Sequence, residues 1–264
     1  MKSRILILIL ITLFLMFLSC FKKNSNGTSE VENITITIYA AAGTRIVTDE
    51  ICDLFEKKYN YIVKRNYASS GTLARQIANG AESDVYVSAN KQWIDFLIEK
   101  GYLKNDSVKV VGMNSLVVIV PVDFKGIRPE FKNEFDVFSS IPDKIALGDP
   151  AYVPVGQYAK KTLDNFGWYD QINEKGKMIL CKDVSSVLHY IEQGECDWGI
   201  VYYTEAIQSD KVKIISKIPS YLHDPIVFYV ADVKEQKIIG QKLSRMFTEK
   251  TGQKIYKEHG FEIP

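Results

Sequence analysis

Short apolar runs alternate with segments of helical period from Ile34 almost to the end of the chain. This alternation limits the fold more than any other feature. Residues 34–38 (Ile-Thr-Ile-Thr-Ile) repeat at period two, the mark of a strand. Stretches 61–66, 84–88, 115–120, 144–147, 177–180, 198–202, 213–218 and 225–231 read as further strands. Between them fall helical sets: Val47, Ile51, Leu54 and Phe55; Leu73 and Ile77; residues 91–99; Ala159, Thr162, Leu163 and Phe166; and Ile239, Leu243, Met246 and Phe247. Val184, Val187, Leu188 and Ile191, at i, i+3, i+4 and i+7, make the cleanest amphipathic pattern. Strands alternating with helices of this length predict an α/β architecture with crossover helices. In such sheets ligands bind beyond the carboxyl ends of strands, where loops enter helices.

The residues at those loops are small or hydroxylic. Ala40-Ala41-Ala42-Gly43-Thr44 follows the first strand, and Ala68-Ser69-Ser70-Gly71-Thr72 follows the second. Gly148-Asp149-Pro150 runs on through Val153-Pro154-Val155-Gly156. Lys182-Asp183-Val184 opens the clean helix, and Tyr202 ends a strand. Small residues leave backbone N–H groups open to a ligand, and a helix N-terminus with free N–H groups is an anion site. The same spacing also fits a serine that only caps its own helix. Together the loops predict a neutral cage of donors for a small anion. Arg45, beside the first loop, reads as a solvated surface charge.

Charge excludes one class of partner. The chain carries 33 Lys+Arg against 32 Asp+Glu, so there is no basic excess to bind nucleic acid. Three histidines, at 189, 223 and 259, are scattered, and no cysteine pair has metal-ligand spacing. No metal site is expected. Residues 5–18 are apolar except for Thr12, follow Lys2 and Arg4, and end at Ser19-Cys20. The run is short for a spanning helix, which needs about 20 residues, and reads as an export signal over 1–19. Phe17-Leu18-Ser19-Cys20 resembles a bacterial lipobox, with Phe17 where the pattern has Leu. Lipidation at Cys20 is the expectation, against a plain signal peptide or an uncleaved anchor. Removing 1–19 takes away two positive charges and no acid, lowering the net charge from +1 to −1. Residues 20–33 then form the lipidated cysteine and a polar tether. Of the cysteines left, 52, 181 and 196, the last two could pair; the alternative is that all three are buried small hydrophobes.

The co-linear stretches TIYAAAGTR (37–45), YASSGTLARQIANGAESDVYVSANKQWIDFL (67–97), GMNSLVVIVP (112–121), LGDPAYVPVGQYAKKTL (147–163), KDVSSVL (182–188), WGIVYYTEA (198–206) and KIYKEHGFEI (254–263) resemble the molybdate-binding proteins of bacterial ABC importers. The resemblance implies a two-lobed periplasmic-binding-protein fold of type II. Each lobe is then a mixed, mostly parallel sheet flanked by helices, with two hinge crossings near 113–116 and 223–225. Residues 34–113 plus 225–264 would form lobe 1 and 114–224 lobe 2. It implies molybdate, and tungstate with it, as ligand, with no cofactor and no enzyme activity. The partners would be a membrane permease and the lipid at Cys20, and the protein a monomer. By motif the ligand donors are Gly43, Ser70, Val155, Val184 and Tyr202, with Thr44, Ser69 and Gly71 as further candidates. Gly43 stands where the family often has serine, so a hydroxyl is lost there or Thr44 replaces it. Sulfate or phosphate is the alternative ligand. A remote alternative is a penicillin-recognising hydrolase, from Ser88-x-x-Lys91 and Lys250-Thr251-Gly252. Mass spectrometry of membrane-extracted protein should find a lipid on Cys20; an unmodified, freely soluble chain would refute the anchor.

Overall fold

In the computed structural model, the described residues are 34–126, 144–233 and 238–264. Residues 1–33, and with them Cys20 and the tether, lie outside this set. Strand β1 (Thr35–Ala41) carries the first period-two pattern, with Ile36 and Ile38 fully buried. It pairs in parallel with β2 (Ile62–Ala68) on one side and β3 (Val85–Ser88) on the other. Helix α1 (Arg45–Tyr59) joins β1 to β2, α2 (Ser70–Ala78) joins β2 to β3, and α3 (Lys91–Glu99) follows β3. With β4 (Lys109–Asn114) and β10 (Ile226–Asp232) the first sheet has the order β2-β1-β3-β10-β4. β10 is antiparallel to both neighbours, so the other four strands share one direction.

The second sheet repeats the plan. Its strands are β5 (Leu116–Pro121), β6 (Ile145–Gly148), β7 (Met178–Cys181), β8 (Trp198–Tyr202) and β9 (Val212–Lys217), in the order β7-β6-β8-β5-β9. β6 is parallel to β7 and β8, and β5 is the single reversed strand. Helices α4 (Pro154–Asp164), α5 (Trp168–Glu174), α6 (Val184–Glu192) and the short α7 (Tyr203–Ala206) belong to this half. The chain leaves the first sheet at Ser115 and re-enters it at Ile226. Helices α8 (Ile238–Thr248) and α9 (Lys250–Glu258) then pack on α1 and the first sheet. The α/β class with two mixed sheets follows the sequence expectation, and the strand directions give each sheet its mostly parallel character.

The helical and period-two patterns do not mark β4, α5, the short α7 or α9. β4 holds Gly112, and Lys109 and Val110 are exposed, so no period-two signal survives. Gly112 is there because Tyr256 and Phe261 lie against it, 3.1 and 3.2 Å from where a Cβ would stand. Helix α5 is short, and Trp168, fully buried, is its main anchor. Cys52, Cys181 and Cys196 are free and buried, so the pairing of 181 with 196 is not made. Among the described residues no helix is long and apolar enough to cross a membrane.

Close packing sets where the loops end. A Cβ on Gly156 would stand 1.9 Å from the Gly148 carbonyl oxygen, so only glycine lets the start of α4 lie against the end of β6. That contact fixes Val155, the residue before it.

Candidate functional site

The ends of β1, β2, β3, β6, β7 and β8 meet at one cleft, about 210 Å³ counting the space open to solvent. Its walls are Ala41, Ala42 and Gly43 from the first loop, Ser69 and Ser70 from the second, and Ala89 after β3. The facing wall is Val153, Pro154, Val155, Asp183, Val184 and Tyr202. Gly43, Ser69, Ser70, Val155, Val184 and Tyr202 are thus brought together from loops far apart in sequence.

Three helices begin here. Ser70 is the first residue of α2, Val184 the first of α6, and Val155 the second of α4, after Pro154. The opening N–H groups of a helix have no partner within it, and each N-terminus carries a partial positive charge. The caps decide which groups stay free. Ser69, not Ser70, caps α2: its Oγ accepts from the Thr72 N–H at 3.2 Å and donates to Thr72 Oγ1 at 2.8 Å. Ser70 is therefore not spent as its helix's own cap. Its Oγ accepts from the Ala89 N–H at 3.0 Å, which leaves the hydroxyl proton to donate elsewhere. Asp183 caps α6 by accepting from the N–H and hydroxyl of Ser186, at 2.8 and 2.7 Å.

Tyr202 is the strongest single indicator. Its side chain is 1 % exposed, yet among the described residues its hydroxyl has no hydrogen-bond partner. An unsatisfied buried hydroxyl costs about 1–3 kcal/mol, and such an atom in a cleft wall calls for a ligand. Burial also pushes its pKa well above the ordinary value, so it stays a neutral donor. Phe228 holds the ring edge-on at 5.3 Å.

Two further candidates, like Ser69, have a donor engaged within the protein. Thr44 donates its hydroxyl to the Ala41 carbonyl at 2.8 Å and is not among the lining residues. Gly71 gives its N–H to the Tyr152 carbonyl at 3.1 Å. At Gly43 a Cβ would lie 3.3 Å from both the Tyr202 ring and Val184, so those side chains occupy the space beside it. Ala89 is a wall residue that the loop reading did not include. It lies in the quoted stretch 67–97, and its N–H, given to Ser70 Oγ, brings it to the wall.

Among the described residues, none in the wall is Lys, Arg or His, and Asp183 is its single formal charge. Arg45 is exposed and stacks on Tyr67, its guanidinium carbon 4.1 Å from the ring centre. Behind the cleft lies Glu205, 7 % exposed, accepting from Ser185 Oγ at 2.8 Å. Burial pushes its carboxyl pKa up to about 7, and Asp183 and Glu192 add to the rise while Ser185 and Arg45 oppose it. The hydrolase motifs are not built. Ser88 is fully buried and donates to the Asn90 carbonyl, and Lys250-Thr251-Gly252 opens α9. Among the described residues no His, Cys, Asp or Glu group could hold a metal ion.

The sequence profile of the bacterial extracellular solute-binding protein family matches residues 36–262. YvgL of Bacillus subtilis, provisionally described as an ABC transporter substrate-binding lipoprotein, is 35% identical over 95% of this chain and 95% of its own length. The molybdate-binding protein ModA of Haemophilus influenzae is 33% identical over 79% of this chain and 82% of its own. In three dimensions the periplasmic molybdate-binding protein of Azotobacter vinelandii aligns with a TM-score of 0.74 at 21% identity, covering 87% of this chain and 99% of that one.

Glu205 generates a stability prediction. Its folded-state pKa near 7 lies above the ordinary 4.5. Between those values the folded protein keeps a proton that the unfolded chain has lost. Stability from this group is full below 4.5, falls as pH rises through the window, and levels off above 7, a loss of roughly 3 kcal/mol. Glu205→Gln should flatten that slope relative to wild type in melts from pH 4.5 to 8; equal slopes would contradict it.

Proposed function

We propose that this chain, which belongs to the bacterial extracellular solute-binding protein family, captures molybdate and its chemical twin tungstate outside the cytoplasm. It is a binding protein rather than an enzyme, and it hands the anion to an ABC importer in the membrane. The carrying observation is the buried Tyr202 hydroxyl, without a partner among the described residues, in a cleft whose described wall holds no cation, at the meeting of three helix N-termini. ModA proteins at 33% and 30% identity support molybdate over other oxyanions.

The proposed mechanism is hydrogen bonding alone. Molybdate is a tetrahedral dianion whose four oxygens each accept two or more bonds. The N–H groups of Gly43, Ser70, Val155 and Val184 and the hydroxyls of Ser70 and Tyr202 would donate to them. Bonds to a charged acceptor are worth about 1.5–3 kcal/mol each. Each helix end adds about 0.3–1 kcal/mol. After the costs of ordering and desolvation, such a set reaches roughly micromolar to nanomolar affinity. A charge-neutral donor shell leaves the anion free to go again when the site opens, because no buried ion pair has to be broken.

We further propose that the first sheet with its helices (34–113 and 225–264) and the second (114–224) act as lobes that close on the anion by bending at the two strand crossings. A lipid on Cys20 and the tether to residue 33 would hold this body, as a monomer, at the outer face of the membrane within reach of the permease.

Calorimetry on residues 34–264 should show tight molybdate and tungstate binding and little response to sulfate or phosphate. Equal affinity for sulfate would sink the assignment. Tyr202→Phe should weaken molybdate binding by roughly 1.5–3 kcal/mol without lowering the melting temperature of the free protein, since the hydroxyl makes no internal bond.

A further inference from the structure

A second set of contacts joins the two halves outside the cleft. Where Tyr152 passes α2, its carbonyl accepts from the Gly71 N–H at 3.1 Å. The approach needs a glycine, because a Cβ there would stand 2.4 Å from that oxygen. One turn along α2, Arg75 donates to the Ala151 carbonyl at 3.3 Å. Its guanidinium lies over two rings, 5.2 Å from the Trp93 centre and 5.7 Å from that of Tyr152. Further round, Asn90 at the start of α3 donates its side-chain amide to Gln157 Oε1 at 2.6 Å. Gly71, Arg75, Trp93 and Asn90 belong to the first-sheet half; Ala151, Tyr152 and Gln157 belong to the second. Arg75, Tyr152 and Gln157 are not in the cleft wall.

We propose that these contacts form a clasp, centred on Arg75 and Gln157, that raises affinity by holding the closed state without touching the anion. The inference rests on the functional reading above, in which the halves part to release ligand. The Arg75–Trp93 stacking lies within the first half and holds the guanidinium in place; the other contacts cross the joint, so their free energy is present when the halves are together and lost when they separate. Stabilising the closed state multiplies the affinity of every ligand by one factor and leaves their ratio unchanged. It slows release and has little effect on capture. Arg75 is thus a positioning residue, distinct from a positive charge that attracts the anion. A steering charge would speed association in a salt-dependent way; a clasp needs the flat guanidinium that stacks and bonds together.

The test is stopped-flow binding of molybdate and tungstate to wild type, Arg75→Ala, Arg75→Lys and Gln157→Ala, with small-angle scattering of each ligand-free protein. Arg75→Ala should release both anions about tenfold faster, with association within about twofold and the molybdate-to-tungstate ratio kept. Arg75→Lys, which keeps the charge, should not restore slow release. Gln157→Ala should shift release in the same direction. Unchanged release, a changed anion ratio, or a loss confined to association and rescued by lysine would overturn the clasp. If wild type binds neither anion, the functional reading fails. The clasp then stands or falls on scattering: a larger radius of gyration for Arg75→Ala supports it, and an equal one overturns it.

Discussion

Strand direction governs everything at the cleft. In each sheet four of five strands run the same way, and every parallel strand must be followed by a crossover. The crossovers start at one edge, so helix N-termini accumulate there. Two such edges facing each other concentrate N–H groups and three helix ends around one cleft. The two reversed strands, β5 and β10, are the ones that enter each sheet from the other. The connectivity that makes two halves from one chain therefore also leaves both carboxyl edges aimed at the same gap.

The electrostatics follow from that geometry. The wall supplies positive potential from dipoles and none from side chains, and its one formal charge, Asp183, is negative and spent on capping α6. Glu205 stands behind the same helix end, desolvated and held by one serine. Both acids would repel a dianion if left bare. One is tied to two donors of Ser186, and the other has its pKa raised by burial. Selectivity in such a site comes from where neutral donors point, so the packing that aims them matters as much as the donors. Gly156 against the Gly148 carbonyl and Phe228 against the Tyr202 ring are parts of that aim.

Much of the fold could be read from residue order because its signals are local. Ile36 and Ile38 alternate, Val184 to Ile191 keep one face, and the predicted strand and helix positions fall within a few residues of the observed ones. β4 could not be read, because Gly112 is chosen by Tyr256 and Phe261, more than a hundred residues away. At the site, the small-residue loops named Gly43, Ser70, Val155, Val184 and Tyr202 as neighbours, helped by a family resemblance that spacing alone does not supply. What spacing missed was hydrogen-bond ownership. Ser69 rather than Ser70 caps α2, Thr44 is committed to Ala41, and Gly71 is committed to Tyr152. Each of these depends on a torsion or a partner that the sequence does not record.

The central claim is that a tetrahedral dianion sits among neutral donors with no cation in contact. Diffraction from crystals grown with molybdate, collected at the molybdenum absorption edge, locates the metal atom directly. The account predicts one anomalous peak in the cleft, with oxygens bonded to the Tyr202 and Ser70 hydroxyls and the N–H groups of Val155 and Val184. A peak outside the cleft, or oxygens held by a lysine or arginine side chain, would contradict it.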